Sequence, residues 1–224
     1  MIRICLIGLP RCGSQYISNL IMLNTDFNIK NLAEPFTPHH TPSLKDIGIS
    51  KIEFDSYEEQ VSLVIDKMKL FNSNQSLIIK LFLHSWISST EHVRIIQVLK
   101  ELNFKFIIIK RKNIIDQLLS LGIGLKLNKF TNFDEYDNSI VELDNEILSK
   151  MKILQVDLKN FDNLINEFNL SNSTTFYYET IKEDLSAFLG KDINTNTRYK
   201  RMSIIPSIHR ILNIKHILKS LNTS

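Results

Sequence analysis

Cysteine is scarce in this chain, which has only Cys5 and Cys12. Two thiols seven positions apart make no disulfide framework. Such usage suits a reducing compartment, so a cytoplasmic location is expected. Long apolar runs are also missing. No stretch approaches the roughly 20 residues of a membrane span. Ile4–Ile7 is too short for the apolar part of a secretion signal, so neither a span nor a leader is expected. Excess charge of one sign is missing as well. The formal net charge is only +3, which makes no general electrostatic case for nucleic acid, so an anion site must come from local placement. There is no internal repeat and no low-complexity tract. Glycine and proline are few, while Asn, Lys and Ile are abundant, a bias without functional content. What is present suffices for a real core. With 224 residues and 43% hydrophobic content, a single domain over 1–224 is expected.

Strand and helix patterns alternate along the chain. The apolar run Ile4–Ile7 predicts a strand. It meets a short turn, Gly8–Gly13, and helical spacing from Ser14 follows. Residues 32–43 hold three of the five prolines and predict a loop. Helices are predicted over 57–71 and 92–102, and strands over 76–83 and 104–109. Asn113 is placed to cap a helix over 114–127. Further helix is predicted over 141–168, with room for a break. A short strand over 174–178, an amphipathic segment to Leu189, a basic polar loop over 195–203 and a last helix over 208–221 complete the pattern. Helices long enough for crossovers predict a three-layer α/β/α fold with a mostly parallel central sheet, P-loop NTPase-like. In such folds the ligand lies beyond the carboxyl ends of the strands.

The strand ends therefore state what a ligand meets. The first ends in Gly8-Leu9-Pro10-Arg11-Cys12-Gly13, followed by the start of a helix. Helix N-terminal N–H groups, turn glycines and a fixed guanidinium make an anion cradle. The turn fits the first six positions of the G-x-x-x-x-G-K-S/T phosphate loop. Ser14 and Gln15 then stand where Lys and Ser/Thr belong. The strand from Leu77 ends near Lys80, and that from Phe104 runs into Lys110-Arg111-Lys112. No apolar strand ends in Asp to hold Mg²⁺. Glu179, after Tyr178, is the one acid at a strand end. This pattern describes a polyanion held by protein cations, without a required metal.

These residues resemble the sulfotransferase family. Pro10-Arg11-Cys12-Gly13-Ser14 is similar to its phosphosulfate loop, with Cys12 and Gln15 in place of hydroxyl residues. Arg111 and Ser120, nine positions apart, resemble the pair that holds the 3′-phosphate of the donor; a spacing of eight would select Lys112. Glu34-Pro35-Phe36 resembles the Glu-x-Phe of the bacterial trehalose-type, carbohydrate-acting branch, where that Glu is the proposed base. Lys80 and Tyr178-Glu179 also match family positions. The resemblance runs over residues 2–189.

The resemblance implies transfer of a sulfuryl group from 3′-phosphoadenosine 5′-phosphosulfate (PAPS) to a hydroxyl of a small molecule or carbohydrate. The product nucleotide is 3′,5′-bisphosphoadenosine (PAP). Arg11 and Glu34 are then the expected catalytic residues. Pro10, Arg11, Cys12, Gly13, Ser14, Gln15, Arg111 and Ser120 are the expected cofactor-binding residues, with no metal. His39 and His40 are the rival base. Gln117 is expected to be structural, His84 and Trp86 to pack in the core, with a place near the acceptor pocket as the alternative, and Lys200 and Arg201 to lie in a solvated loop. Residues 37–75 and 121–140 are expected to shape the acceptor pocket. Two other classes fit the same fold, a nucleotide or sugar kinase and a non-catalytic nucleotide- or glycan-binding module.

Overall fold

The structure is a computed structural model and describes residues 1–38, 41–50, 53–71, 74–85, 89–128, 139–195 and 207–222. Among these, strands β1 (Arg3–Gly8), β2 (Ile29–Asn31), β3 (Ser76–Phe82), β4 (Lys105–Lys110) and β5 (Thr174–Tyr177) form one sheet in the order β2-β3-β1-β4-β5. Every pairing within it is parallel. The helices are α1 (Ser14–Leu23), α2 (Thr41–Asp46), α3 (Tyr57–Lys69), α4 (Ser89–Glu101), α5 (Ile114–Leu127), α6 (Asn145–Glu167), α7 (Ile181–Leu189) and α8 (Ile214–Asn222).

β1 is central, and its alternation divides the core. Ile4 and Leu6 pack with Ile17, Leu20 and Ile21 of α1 and with Ile181 and Leu185 of α7. Cys5 and Ile7 belong to the opposite layer, with Val61 and Val64 of α3, Ile95 and Leu99 of α4, and Met151 and Leu154 of α6. Burial on both faces explains why the inner strands read as continuous apolar runs. Local signals fix several helix starts. The Asn113 side chain accepts from the Asp116 N–H at 2.9 Å, and Asp144 from the Ile147 N–H at 3.0 Å. Ser56 accepts from the Glu59 N–H at 3.1 Å. Each cap satisfies a backbone donor that the helix itself leaves open.

Three elements depart from the sequence pattern. β2 was not predicted: it is a three-residue edge strand, Ile-Lys-Asn, too short and too polar to alternate visibly. The predicted loop over 32–43 gives way to helix α2 from Thr41. The predicted last helix is two pieces, a 3₁₀ turn (Ser207–Arg210) and α8. Asn213 divides them. Its side chain accepts from the Leu143 N–H at 3.1 Å and donates to the Leu143 carbonyl at 2.7 Å. That bidentate grip beside the parallel bridge Val141–Ile211 competes with helix continuation. α6 runs unbroken from Asn145. No helix among the described residues is long and apolar enough to cross a membrane.

Candidate anion site at the turn after the first strand

The turn is built by opposed constraints. Arg11 and Gly13 both have positive φ, 65° and 93°. Only glycine takes that region without cost. At Gly13 space demands glycine too: a Cβ would meet Cδ2 of Tyr178 at 2.2 Å. The Cys12 N–H closes the turn on the Leu9 carbonyl at 3.1 Å. Gln117, one of the most buried polar residues, donates from Nε2 to the Pro10 carbonyl at 2.8 Å. The Pro10 carbonyl and the Cys12 N–H are thus tied into the shape of the turn.

Cys12, one of the expected cofactor-binding residues, turns its side chain into the core. Its thiol is buried in the α1 layer, and burial pushes its pKa up. The N–H and hydroxyl of Ser14 lie against that sulfur. Further along, α1 carries no side-chain cap. The N–H groups of Gln15 and Tyr16 have no hydrogen-bond acceptor among the described residues. At α5 the reverse holds. Glu179 accepts from the Lys112 and Asn113 N–H groups at 3.0 and 3.2 Å, in addition to the Asn113 cap. Burial works against the Glu179 charge, but these N–H donors and nearby Arg111 outweigh it and hold its carboxyl below the usual range. The N-terminus of α1 is open to an anion, whereas that of α5 is satisfied internally.

Two clusters flank the opening. On the β4 side, Arg11 Nε donates to Ser120 Oγ at 3.1 Å, and Arg111 Nη1 donates to the Arg11 carbonyl at 3.3 Å. Arg111 also pairs with Asp116 at 2.6 Å and lies 4.5 Å above the Tyr178 ring. Its Nε is buried with no acceptor among the described residues. Lys112, the alternative, instead places Nζ 5.1 Å from the centre of the Tyr177 ring. Burial and then the neighbouring Arg111 charge lower the Arg11 pKa to about 10, which leaves it cationic at neutral pH. Beneath this side is a cavity of about 220 Å³ lined by Leu9, Arg111, Gln117, Phe161, Asp162 and Tyr177.

On the β3 side, Lys80 is 3% exposed. It lies opposite Leu6 in the sheet, so period two turns it to the α1 face. Its ammonium donates to Gln15 Oε1 at 2.7 Å and to Glu34 Oε1 at 2.8 Å. Ala33, with φ 52°, accepts the Lys80 N–H at 2.7 Å, and Ser43 Oγ accepts the Glu34 N–H at 2.7 Å. These backbone ties fix the Glu34 carboxylate beside the turn. His84 is buried near the charges of Asp157 and Glu34, and burial lowers its pKa against their pull. Among the described residues no three His, Cys, Asp or Glu side chains converge on a common point.

The structure thus brings Arg11, Gly13, Gln15, Arg111, Ser120 and Glu34 to one turn. His39, His40, Trp86, Lys200 and Arg201 lie outside the described residues. Sequence reasoning missed Asp116, while Gln117 takes the structural role expected of it by holding the Pro10 carbonyl. The Asp116 position in the first turn after a strand-end Arg was the available signal.

No family model matches the chain, and no curated protein matches it. Among solved structures, a mouse sulfotransferase, SULT7A1, crystallised with PAP, is similar at TM-score 0.48 and 18% identity, over 86% of this chain. The match takes in 60% of that chain's length. An unliganded sugar kinase from a Janibacter species is similar at TM-score 0.41 and 13% identity, over 85% of this chain and 95% of that one. Neither likeness assigns a role to any residue here.

Proposed function

We propose that this protein transfers a sulfuryl group from PAPS to a hydroxyl of a small-molecule or carbohydrate acceptor. The observation that carries the reading is the joined pair of cationic positions beside an uncapped helix: Arg11 bonded to Ser120, and Arg111 bonded to the Arg11 carbonyl, next to the open first turn of α1. Such a surface suits a ligand with two anionic groups, and PAPS carries them on its 3′ and 5′ sides. The residues fit that ligand. The buried Arg111 Nε lacks an acceptor among the described residues. Ser120 accepts from Arg11, and a hydroxyl that accepts still has its own proton to donate.

PAPS would supply an activated sulfuryl group. Arg11, with the N–H groups of Gly13, Gln15 and Tyr16, would stabilise negative charge on the 5′ side. Such preorganised donors are typically worth about 10²–10³ in rate each. Ser14 would contribute its hydroxyl, since a thiol sulfur is a weak acceptor that an anion displaces readily. Arg111 and Ser120 would hold the 3′-phosphate, with Arg111 kept in place by Asp116 and Tyr178. Glu34 would accept the proton of the acceptor hydroxyl, a role typically worth about 10²–10⁴.

Lys80 favours a second reading, a kinase. Its ammonium stands at the first turn of α1, a place where a lysine could meet the terminal phosphates of ATP. Transfer assays with and without a chelator separate the two. Sulfur-labelled PAPS should label a member of a hydroxyl-acceptor panel in both conditions. Labelling by ATP-Mg alone would establish the kinase instead.

A further inference from the structure

Gln15 occupies the position where the phosphate-loop pattern asks for a hydroxyl, and its side chain does something a hydroxyl of that length could not. Its Oε1 reaches across to Lys80 Nζ at 2.7 Å. Lys80 comes from a different strand, is almost fully buried, and is 65 positions away in sequence. The turn also lacks the lysine that the pattern puts after its second glycine. We propose that Gln15 is a positioning residue: it draws Lys80 to the first turn of α1, where the ammonium replaces the cation missing from the turn and contacts the 5′-side anionic group. This deepens the anion reading above and rests on it.

The donor geometry supports the assignment. An ammonium has three N–H donors. Gln15 and Glu34 take two of those of Lys80, at 2.7 and 2.8 Å. The third has no acceptor among the described residues. Gln15 spends its carbonyl on Lys80, and its Nε2 has no acceptor among the described residues either. An oxyanion at the α1 N-terminus would find the ammonium proton and the backbone N–H groups of Gln15 and Tyr16 on one side. A serine or threonine at position 15 would offer the anion its hydroxyl but would leave Lys80 held by Glu34 alone. Lys80 would then answer to the acceptor side of the site rather than the donor side. Phosphate and sulfate esters share the chemistry this arrangement recognises.

Calorimetry tests the proposal with two probes: PAP, which carries the 5′-phosphate, and adenosine 3′-monophosphate, which does not. The variants are Gln15→Ser, Lys80→Met and the double variant; methionine keeps the buried stem without the charge. Gln15→Ser and Lys80→Met should each weaken PAP roughly ten- to a hundredfold, leave adenosine 3′-monophosphate within about twofold, and keep the wild-type melting profile to within a few degrees. The double variant should be no weaker than Lys80→Met, because one residue acts through the other. Additive losses would overturn the positioning role, as would Gln15→Ser binding PAP like the wild type. Equal losses for both nucleotides would show a structural tie only and also overturn it. Failure of the wild type to bind PAP at all would remove the anion reading and this inference together.

Discussion

Arg11 Nε donates to Ser120 Oγ across 3.1 Å, joining the turn after β1 to the middle of α5. Arg111 closes the same triangle through the Arg11 carbonyl at 3.3 Å. If this triangle is where the 3′-phosphate meets the rest of the donor, Arg111→Ala should weaken PAP by roughly ten- to a hundredfold. It should weaken 5′-AMP by less than about threefold. Ser120→Ala should show the same selectivity with a smaller loss. Equal losses for both nucleotides in calorimetry would put the 3′-phosphate elsewhere.

Gly13 is constrained twice, by φ of 93° and by the Tyr178 ring. Gly190 shares a positive φ, 66°, but has open space around its Cβ position. Both alanine substitutions carry the left-handed cost of about 1–2 kcal/mol. Gly13→Ala alone must also displace an aromatic ring that stacks on Arg111. Chemical denaturation should show Gly13→Ala as the less stable variant by more than about 1 kcal/mol. It should also lose PAP binding, which Gly190→Ala keeps.

Glu34 has two separable properties, its partnership with Lys80 and its place beside the turn. Glu34→Gln leaves Lys80 a neutral oxygen acceptor and removes the opposing charge. Sulfuryl transfer to an acceptor hydroxyl should fall by about 10²–10⁴, while PAP binds as tightly as before or more tightly. Retained turnover in this variant, with loss in one altered at His39 or His40, would move the base to the histidine loop.

His92 makes the acid response of the fold testable. It is buried, with Nε2 3.3 Å from the Phe82 carbonyl and its ring beside Phe168. Burial lowers its pKa from 6.5 to about 4. The unfolded chain therefore takes up this proton at a higher pH than the folded one. The contribution to stability is complete above about pH 6.5 and is lost as pH falls towards 4, a change on the order of a few kcal/mol. His92→Phe should flatten the stability profile in that window. An unchanged slope would mean that another group governs acid unfolding.

Legibility followed range along the chain. The strand over 104–109, the Asn113 cap and the helix start at Ser14 were readable because each depends on neighbours a few residues away. Arg11, Glu34, Arg111 and Ser120 could be named individually, and the parallel topology then gathers them at the strand ends. The partnership of Gln15, Lys80 and Glu34 was not readable. It depends on the register that sets Lys80 opposite Leu6, which no local pattern encodes. The inward turn of Cys12 was not readable either: its side chain packs into the core and its N–H closes the turn. β2 escaped because three residues are too few to show alternation.

The central claim is that the turn and its flanking cations hold a 3′-phosphorylated nucleotide rather than a nucleotide-metal complex. Titration calorimetry of the wild-type chain with PAP and with ADP-Mg tests it most directly. The geometry of Arg11, Ser120 and Arg111 predicts PAP as the tighter ligand by at least about tenfold. Equal or tighter binding of ADP-Mg would contradict it.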